Sequence, residues 1–305
     1  MITHRFTRKM NCLLTVLIAA TAFSGCLKID TPENWPKEPE KEPETESEVY
    51  KVVAHRGGAA ECNRPDNSVS GLKYAISLKC YASECDIVLT SDNEVLVAHP
   101  LDGGKVNGLT TFDHTAAQIR AAGALANGEQ IPSLSDFLKV LTDKEQNPHG
   151  TKLWMDVKRL VSNGKNMDAS YSINCCLRAC QIIREMKAEE YCEFLIPTGD
   201  DIFMAVRDQV IDSYKINLCW MTCTDPARYG KAWAQLAYTK VLGEKPTGNY
   251  RPQDYFSAGV PLSIYNVDSD ETMDDTIGYY KQLKAIFTNY PAKLIGKLKE
   301  KGLEK

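Results

Sequence analysis

Basic side chains do not predominate in this chain. Lysine and arginine number 36 against 40 aspartates and glutamates, a net charge of −4, so nothing points to a polyanion such as nucleic acid as partner. A second cysteine pair is also missing. Cys219 and Cys223 have no companions at zinc-finger spacing, which argues against a structural zinc. The first apolar run ends in "HRGGAA", not in the G-x-G-x-x-G turn that a doubly wound sheet uses for phosphates. No internal repeat is evident. The apolar run "CLLTVLIAATAF" has 12 residues, short of the ~20 that a spanning helix needs. Histidine is scarce, five in all, and His114 and His149 fall in loop-like segments.

Otherwise the composition is ordinary for a globular protein: 305 residues, 43% apolar and 25% charged, enough for one large domain or two small ones. Nine cysteines from Cys62 to Cys223 are too scattered for a disulfide framework and read mostly as small buried hydrophobes. From residue 49 onward short apolar runs alternate with amphipathic stretches. "YKVVAH", "YASECDIVLT", "KLWMDVK", "YCEFLI", "INLCWM", "YTKVLG", "VPLSIYNV" and "AIFTN" read as strands, with "EVLVAH" as a hairpin arm beside the second. "NSVSGLKYAISLK", "SLSDFLKVL", residues 167–188 and "YPAKLIGKLKE" read as helices, the first capped by Asn67 or Ser68. Strand followed by helix, about eight times, predicts an α/β fold, a (β/α)8 TIM barrel. Residues 102–130 form a small insertion after the second strand, expected to pass over the barrel mouth.

Ahead of this domain, a basic stretch, an apolar run and the small residues Ser24 and Gly25 lead into Cys26. The pattern resembles a bacterial lipoprotein signal over residues 1–25, which implies lipid modification of Cys26 and anchoring to a bacterial membrane, periplasmic or at the cell surface. Residues 26–48 then read as an acidic Pro/Glu-rich tether: "TPENWPKEPEKEPETESE" holds four prolines and seven glutamates against two lysines and cannot bury a core. The domain proper is 49–305.

On a barrel, the unusual polar residues gather at one end. His55 and Arg56 end the first strand, Glu84 and Asp86 lie two apart on the second, and Asp156 and Lys158 two apart on the third, so each pair shares a face. His99 ends the hairpin after the second strand. Three carboxylates converging at the carboxyl ends of strands are costly without a cation among them, and oxygen donors without cysteine favour calcium or magnesium. Arg56 and Lys158 suit an anionic substrate, and two imidazoles supply an acid and a base near neutral pH. Together these imply phosphodiester cleavage. Each piece alone is weak: a Glu-x-Asp pair is more often a solvated face, and an Asp156–Lys158 pair a surface contact.

The motifs "AHRGG", "RPDNS" and "ECDIVLTSDNEVLVAHP" resemble the N-terminal signature of the glycerophosphodiester phosphodiesterases (HRG, PENT, E-x-D, T-x-D-G, HD). The likeness continues through "IPSLSDFL", "MDVK", "IYNVD" and "AIFTNYP". It implies a TIM barrel with one bound divalent cation, calcium or magnesium, held by Glu84, Asp86 and Asp156. It implies His55 and His99 as the acid/base pair, Arg56, Lys158 and Asp66 at the phosphate, and Tyr265 in the pocket wall. The reaction implied is hydrolysis of a small glycerophosphodiester to sn-glycerol 3-phosphate and an alcohol. Departures are Asp156 and Asp66 for glutamate, Pro100 for the aspartate after the second histidine, Tyr265 for tryptophan and Asn289 for aspartate. Two other readings stay open. One is a phospholipase-D-like enzyme on lysolipids, which an apolar groove beside His55 would favour. The other is a surface lipoprotein that binds phosphates or glycans without cleaving them. No protein partner is inferred.

Overall fold

The computed structural model of the protein describes residues 49–197 and 199–303. Eight parallel strands follow one another along the chain: β1 (Tyr50–Ala54), β2 (Cys80–Leu89), β3 (Lys152–Val157), β4 (Cys192–Ile196), β5 (Asn217–Trp220), β6 (Ala234–Ala237), β7 (Leu262–Tyr265) and β8 (Ala285–Thr288). They are bonded in the order β5-β4-β3-β2-β1-β8-β7-β6. The two ends of that sheet meet through a parallel bridge from Cys219 to Trp233, where Trp220 N–H donates to the Trp233 carbonyl (3.0 Å) and Trp233 N–H to that of Leu218 (3.1 Å). The eight parallel strands thus form a nearly closed barrel, as the strand–helix rhythm predicts. No helix of the described residues is long and apolar enough to cross a membrane. The signal segment, Cys26 and the tether lie outside the described residues.

Two apolar layers follow from the strand period. Inward residues Val53, Ala82, Trp154, Leu195, Cys219, Trp233, Ala285 and Phe287 fill the barrel. Outward residues pack under the helices, among them the amphipathic Val69–Ser77, Leu134–Thr142 and Ala169–Glu185. Ser68, rather than Asn67, caps the first of these, its hydroxyl accepting from Gly71 N–H (2.9 Å). The long helix is 169–185, started by Asp168, which accepts from Ser170 N–H (2.8 Å). Eight of the nine cysteines from Cys62 onward are buried, as expected of small hydrophobes.

Three readings shift. "YTKVLG" is not a strand: Tyr238–Val241 is a helical turn, and the strand is the preceding "AQLA", registered Ala234 to Leu262. A barrel strand with the polar Gln235 facing inward carries too little apolar signal to stand out. His55 and Arg56 lie one step beyond β1, in a 3-10 turn. The insertion folds as a hairpin, Lys105–Val106 with Leu109–Thr110, and a helix, Ala116–Ala121. It rests on its own apolar cluster of Val88, Leu96, Val106, Ala116, Ile119 and Leu160, while Leu101 and Asp102 line a groove together with His99 and Lys158.

The amino-terminal floor of the barrel holds a buried ion network. Glu193 pairs with Lys284 (3.0 Å) and accepts from Tyr81 Oη–H (2.8 Å). Charge is thus satisfied at the floor, and the unmatched acids sit at the other end.

Candidate active site

Parallel register brings the acidic residues together. Asp86 on β2 lies opposite Asp156 on β3, and Glu84 is two residues back on the same inward face. One carboxylate oxygen from each of Glu84, Asp86 and Asp156 lies within 4.8 Å of the others, and all three residues are buried.

Two cations face them. Lys158 Nζ is 2.9 Å from Asp86 Oδ1 and 2.5 Å from Asp156 Oδ2. Arg56 Nε is 3.0 Å from Asp86 Oδ2, and its Nη1 is 3.0 Å from Asp66 Oδ2. Asn67 grips Asp86 twice: Nδ2–H donates to Oδ2 (2.9 Å) and Oδ1 accepts from Asp86 N–H (3.0 Å). The His55–Gly57 turn is bent for this purpose. Arg56 has φ 47°, a left-handed value rare outside glycine, and its N–H donates to Glu84 Oε2 (3.0 Å). Gly57 is required beside it, because a Cβ there would lie 2.7 Å from the Gly71 backbone.

Glu84, Asp86 and Asp156, with Asp66 on the other side of Arg56, share only two cations, so the carboxylates outnumber the positive charges. Burial, then Asp86 and Asp156, push the Glu84 carboxyl well above its ordinary range. Burial, with Asp86 adding to it against Lys158, raises Asp156 to about 6. For Asp86, burial is outweighed by Lys158, Arg56 and Asn67, and its pKa is lowered. Asp156 Oδ1 is buried with no hydrogen-bond partner. Clustered hard oxygens, excess negative charge and an orphaned carboxylate oxygen fit a divalent cation.

His55 stands beside this cluster, Nε2 3.8 Å from Glu84 Oε2, its ring 5.1 Å from that of Phe287. Nδ1 is 2.6 Å from Asn289 Oδ1. The Asn289 amide is oriented by Asp268, which can only accept: Asp268 takes Asn289 Nδ2–H (2.8 Å), Asn289 N–H (2.8 Å) and Thr288 Oγ1–H (3.0 Å). The amide oxygen must therefore face His55, so Nδ1 carries the proton and Nε2 is the free lone pair. Burial lowers the His55 pKa against the Asn289 bond. His99 is more open. Burial lowers its pKa too, against the attraction of Asp86. Tyr265 packs its ring edge-on 6.4 Å from that of Phe287, the ring that also contacts His55.

Asn67, Asn289 and Asp268 were not among the predicted site residues. Asn67 adjoins Asp66 in "RPDNS" and reads equally as a helix cap. In the sequence Asn289 stands out only as a departure from aspartate and Asp268 only as the end of "IYNVD"; the bond between them joins the segments that follow two strands and is visible only in the fold.

The fold and the site define a TIM barrel with an acidic, cation-suited centre and two histidines at its carboxyl end. No family model matches the chain. A curated glycerophosphodiester phosphodiesterase from Caldanaerobacter subterraneus subsp. tengcongensis is 29% identical over 102 residues, 31% of this chain and 41% of that protein. The chain thus matches less than half of that relative's length. A glycerophosphodiester phosphodiesterase from Parabacteroides distasonis superposes with a TM-score of 0.66 at 20% identity, covering 83% of this chain and 98% of that one. An Oleispira antarctica phosphodiesterase in complex with its product sn-glycerol-3-phosphate gives 0.62 at 15% identity, covering 82% and 97%. The chain has the fold of these phosphodiesterases.

Proposed function

We propose that this protein hydrolyses glycerophosphodiesters to sn-glycerol 3-phosphate and an alcohol, using one divalent cation and His55 and His99. The observation that carries the reading is the buried Glu84–Asp86–Asp156 cluster, with ligand oxygens within 4.8 Å of one another and the lone pair of His55 aimed beside it.

A bound Ca2+ or Mg2+ would be held by Glu84, Asp86 and Asp156 and would supply Lewis-acid polarisation of the phosphoryl group. The chain's own residues do the rest. Arg56 and Lys158, already gathered at the carboxylates, neutralise the incoming phosphate, with Asp66 fixing the Arg56 fork. Tyr265 walls the pocket. His55 Nε2 takes the proton of the attacking hydroxyl as its oxygen bonds to phosphorus; with water this gives glycerol 3-phosphate directly, and with the neighbouring glycerol hydroxyl it gives a cyclic phosphate that a water molecule then opens to the same product. The bond from phosphorus to the departing oxygen breaks with its electron pair, and His99 returns a proton to that oxygen.

We also place the protein on a bacterial membrane through lipid on Cys26, with residues 26–48 as spacer. Support for this is the sequence pattern. The non-catalytic reading leaves unexplained why Asp268 and Asn289 should fix the tautomer of His55. Purified residues 27–305 should release glycerol 3-phosphate from glycerophosphocholine or glycerophosphoethanolamine, and EDTA should stop the reaction. No product from any glycerophosphodiester tried, with Ca2+ and Mg2+ each supplied, overturns the proposal.

A further inference from the structure

A groove of about 410 Å³ opens beside the site and shares His99 and Lys158 with it. We infer that this groove holds the leaving alcohol and is built for one with an apolar chain, an inference that rests on the hydrolase reading above. The direction follows from the tautomer of His55. With His55 as base, His99 is the acid, so the space next to His99 belongs to the departing oxygen and what it carries.

Three of the polar side chains of the groove already have partners. Lys158 faces Asp86 and Asp156. Arg159 Nη1 lies 2.8 Å from each oxygen of Asp201, and its Nε–H donates to the Met167 carbonyl (3.2 Å). Asp102 Oδ1 accepts from Asn163 N–H (2.8 Å). Besides His99 and Asn166, the surface left for a ligand is Pro100, Leu101, Val161 and Pro197. Leu101 is 68% exposed and Val161 36%, two of the four large apolar side chains that stand exposed among the described residues. Single exposed hydrophobics need no explanation; two in one groove next to a reacting centre do. No Trp, Tyr or Phe lines it to receive a quaternary ammonium.

The wall is built in advance. Gly103 N–H donates to the Val161 carbonyl (2.7 Å) and Leu101 N–H to that of Lys105 (2.8 Å), so the two apolar residues come from segments bonded to each other. Gly104, at φ 69°, lets the chain lie on Leu160, whose Cδ1 would be 3.0 Å from a Cβ there. A preformed apolar wall binds an alkyl chain without first ordering a loop.

The test compares sn-glycero-3-phosphoethanol with sn-glycero-3-phospho-octanol, below micellar concentrations. In parallel it compares ethyl phosphate with octyl phosphate as ligands by calorimetry. The wild type should favour the octyl member of each pair by roughly tenfold or more, since each buried methylene is worth up to a few-fold. The ratio is read within each protein. In Leu101→Ser/Val161→Ser it should fall towards unity, and in Met204→Ser, an exposed apolar residue elsewhere, it should stay. Equal constants for both chain lengths, or a preference that survives the double substitution, overturns the groove. So does binding of the wild type but not the variant to phosphatidylglycerol vesicles without any alkyl phosphate preference. Turnover of neither diester with the binding ratio intact sinks the hydrolase reading and keeps the apolar groove. Turnover without any chain-length ratio does the reverse.

Discussion

Divalent ions should stabilise this protein, and the effect should shrink as the pH falls through about 6. The excess negative charge at Glu84, Asp86 and Asp156 is the reason. An ion that binds only the folded state adds about 2.7 kcal/mol at a hundred times its Kd, which for a domain of this size raises Tm by roughly 5–10 °C. Asp156, raised to about 6 by burial, must lose its proton to bind the ion. At about pH 5 it is mostly protonated, so binding weakens by about tenfold, or about 1.4 kcal/mol. Glu84, pushed up in the same way, steepens the loss. Without an ion the sign reverses. An acid whose folded pKa lies above its unfolded value stabilises the fold below the unfolded pKa, and that contribution is lost as pH rises through about 6. Scanning calorimetry in EDTA and in millimolar Ca2+ or Mg2+, at about pH 5 and about pH 7.5, reads both limbs. Equal ion-induced shifts at the two pH values, or no shift with either ion, would refute the reasoning.

His55→Ala and His99→Ala should each lower turnover by roughly 10² to 10⁴ while the metal-induced Tm shift remains, measured by glycerol 3-phosphate release. Asn289→Ala frees the His55 tautomer and should cost about 10- to 100-fold in kcat, as for other residues that orient a functional group; a wild-type rate would break the proton assignment. Glu193→Ala takes the carboxylate from the half-buried Lys284 at the barrel floor and should lower stability by about 2 kcal/mol in denaturant titrations, with ion binding unaffected.

Much of this architecture was readable along the chain. Alternating apolar runs and amphipathic stretches indicate the barrel because each strand is buried on both faces and each helix on one. Period two alone puts Glu84 with Asp86 and Asp156 with Lys158, since neighbours two apart on a strand must share a face. The strand in "AQLA" escaped because its inward residue is polar, and a barrel interior does not advertise itself when the side chain within is Gln235.

Residue order therefore determined the fold class, the acidic pairs and the two histidines, all consequences of local periodicity. Three features needed the closed sheet. Register between β2 and β3 sets Asp86 opposite Asp156 and so creates the uncompensated charge. The approach of β8 to the turn after β1 puts Asn289, backed by Asp268, against His55 and chooses its protonated nitrogen. The bonds from Gly103 N–H to the Val161 carbonyl and from Asn163 N–H to Asp102 Oδ1 bring Leu101 and Val161 into one groove. Each joins residues tens to hundreds of positions apart, and no local pattern encodes distances that exist only once the barrel has closed.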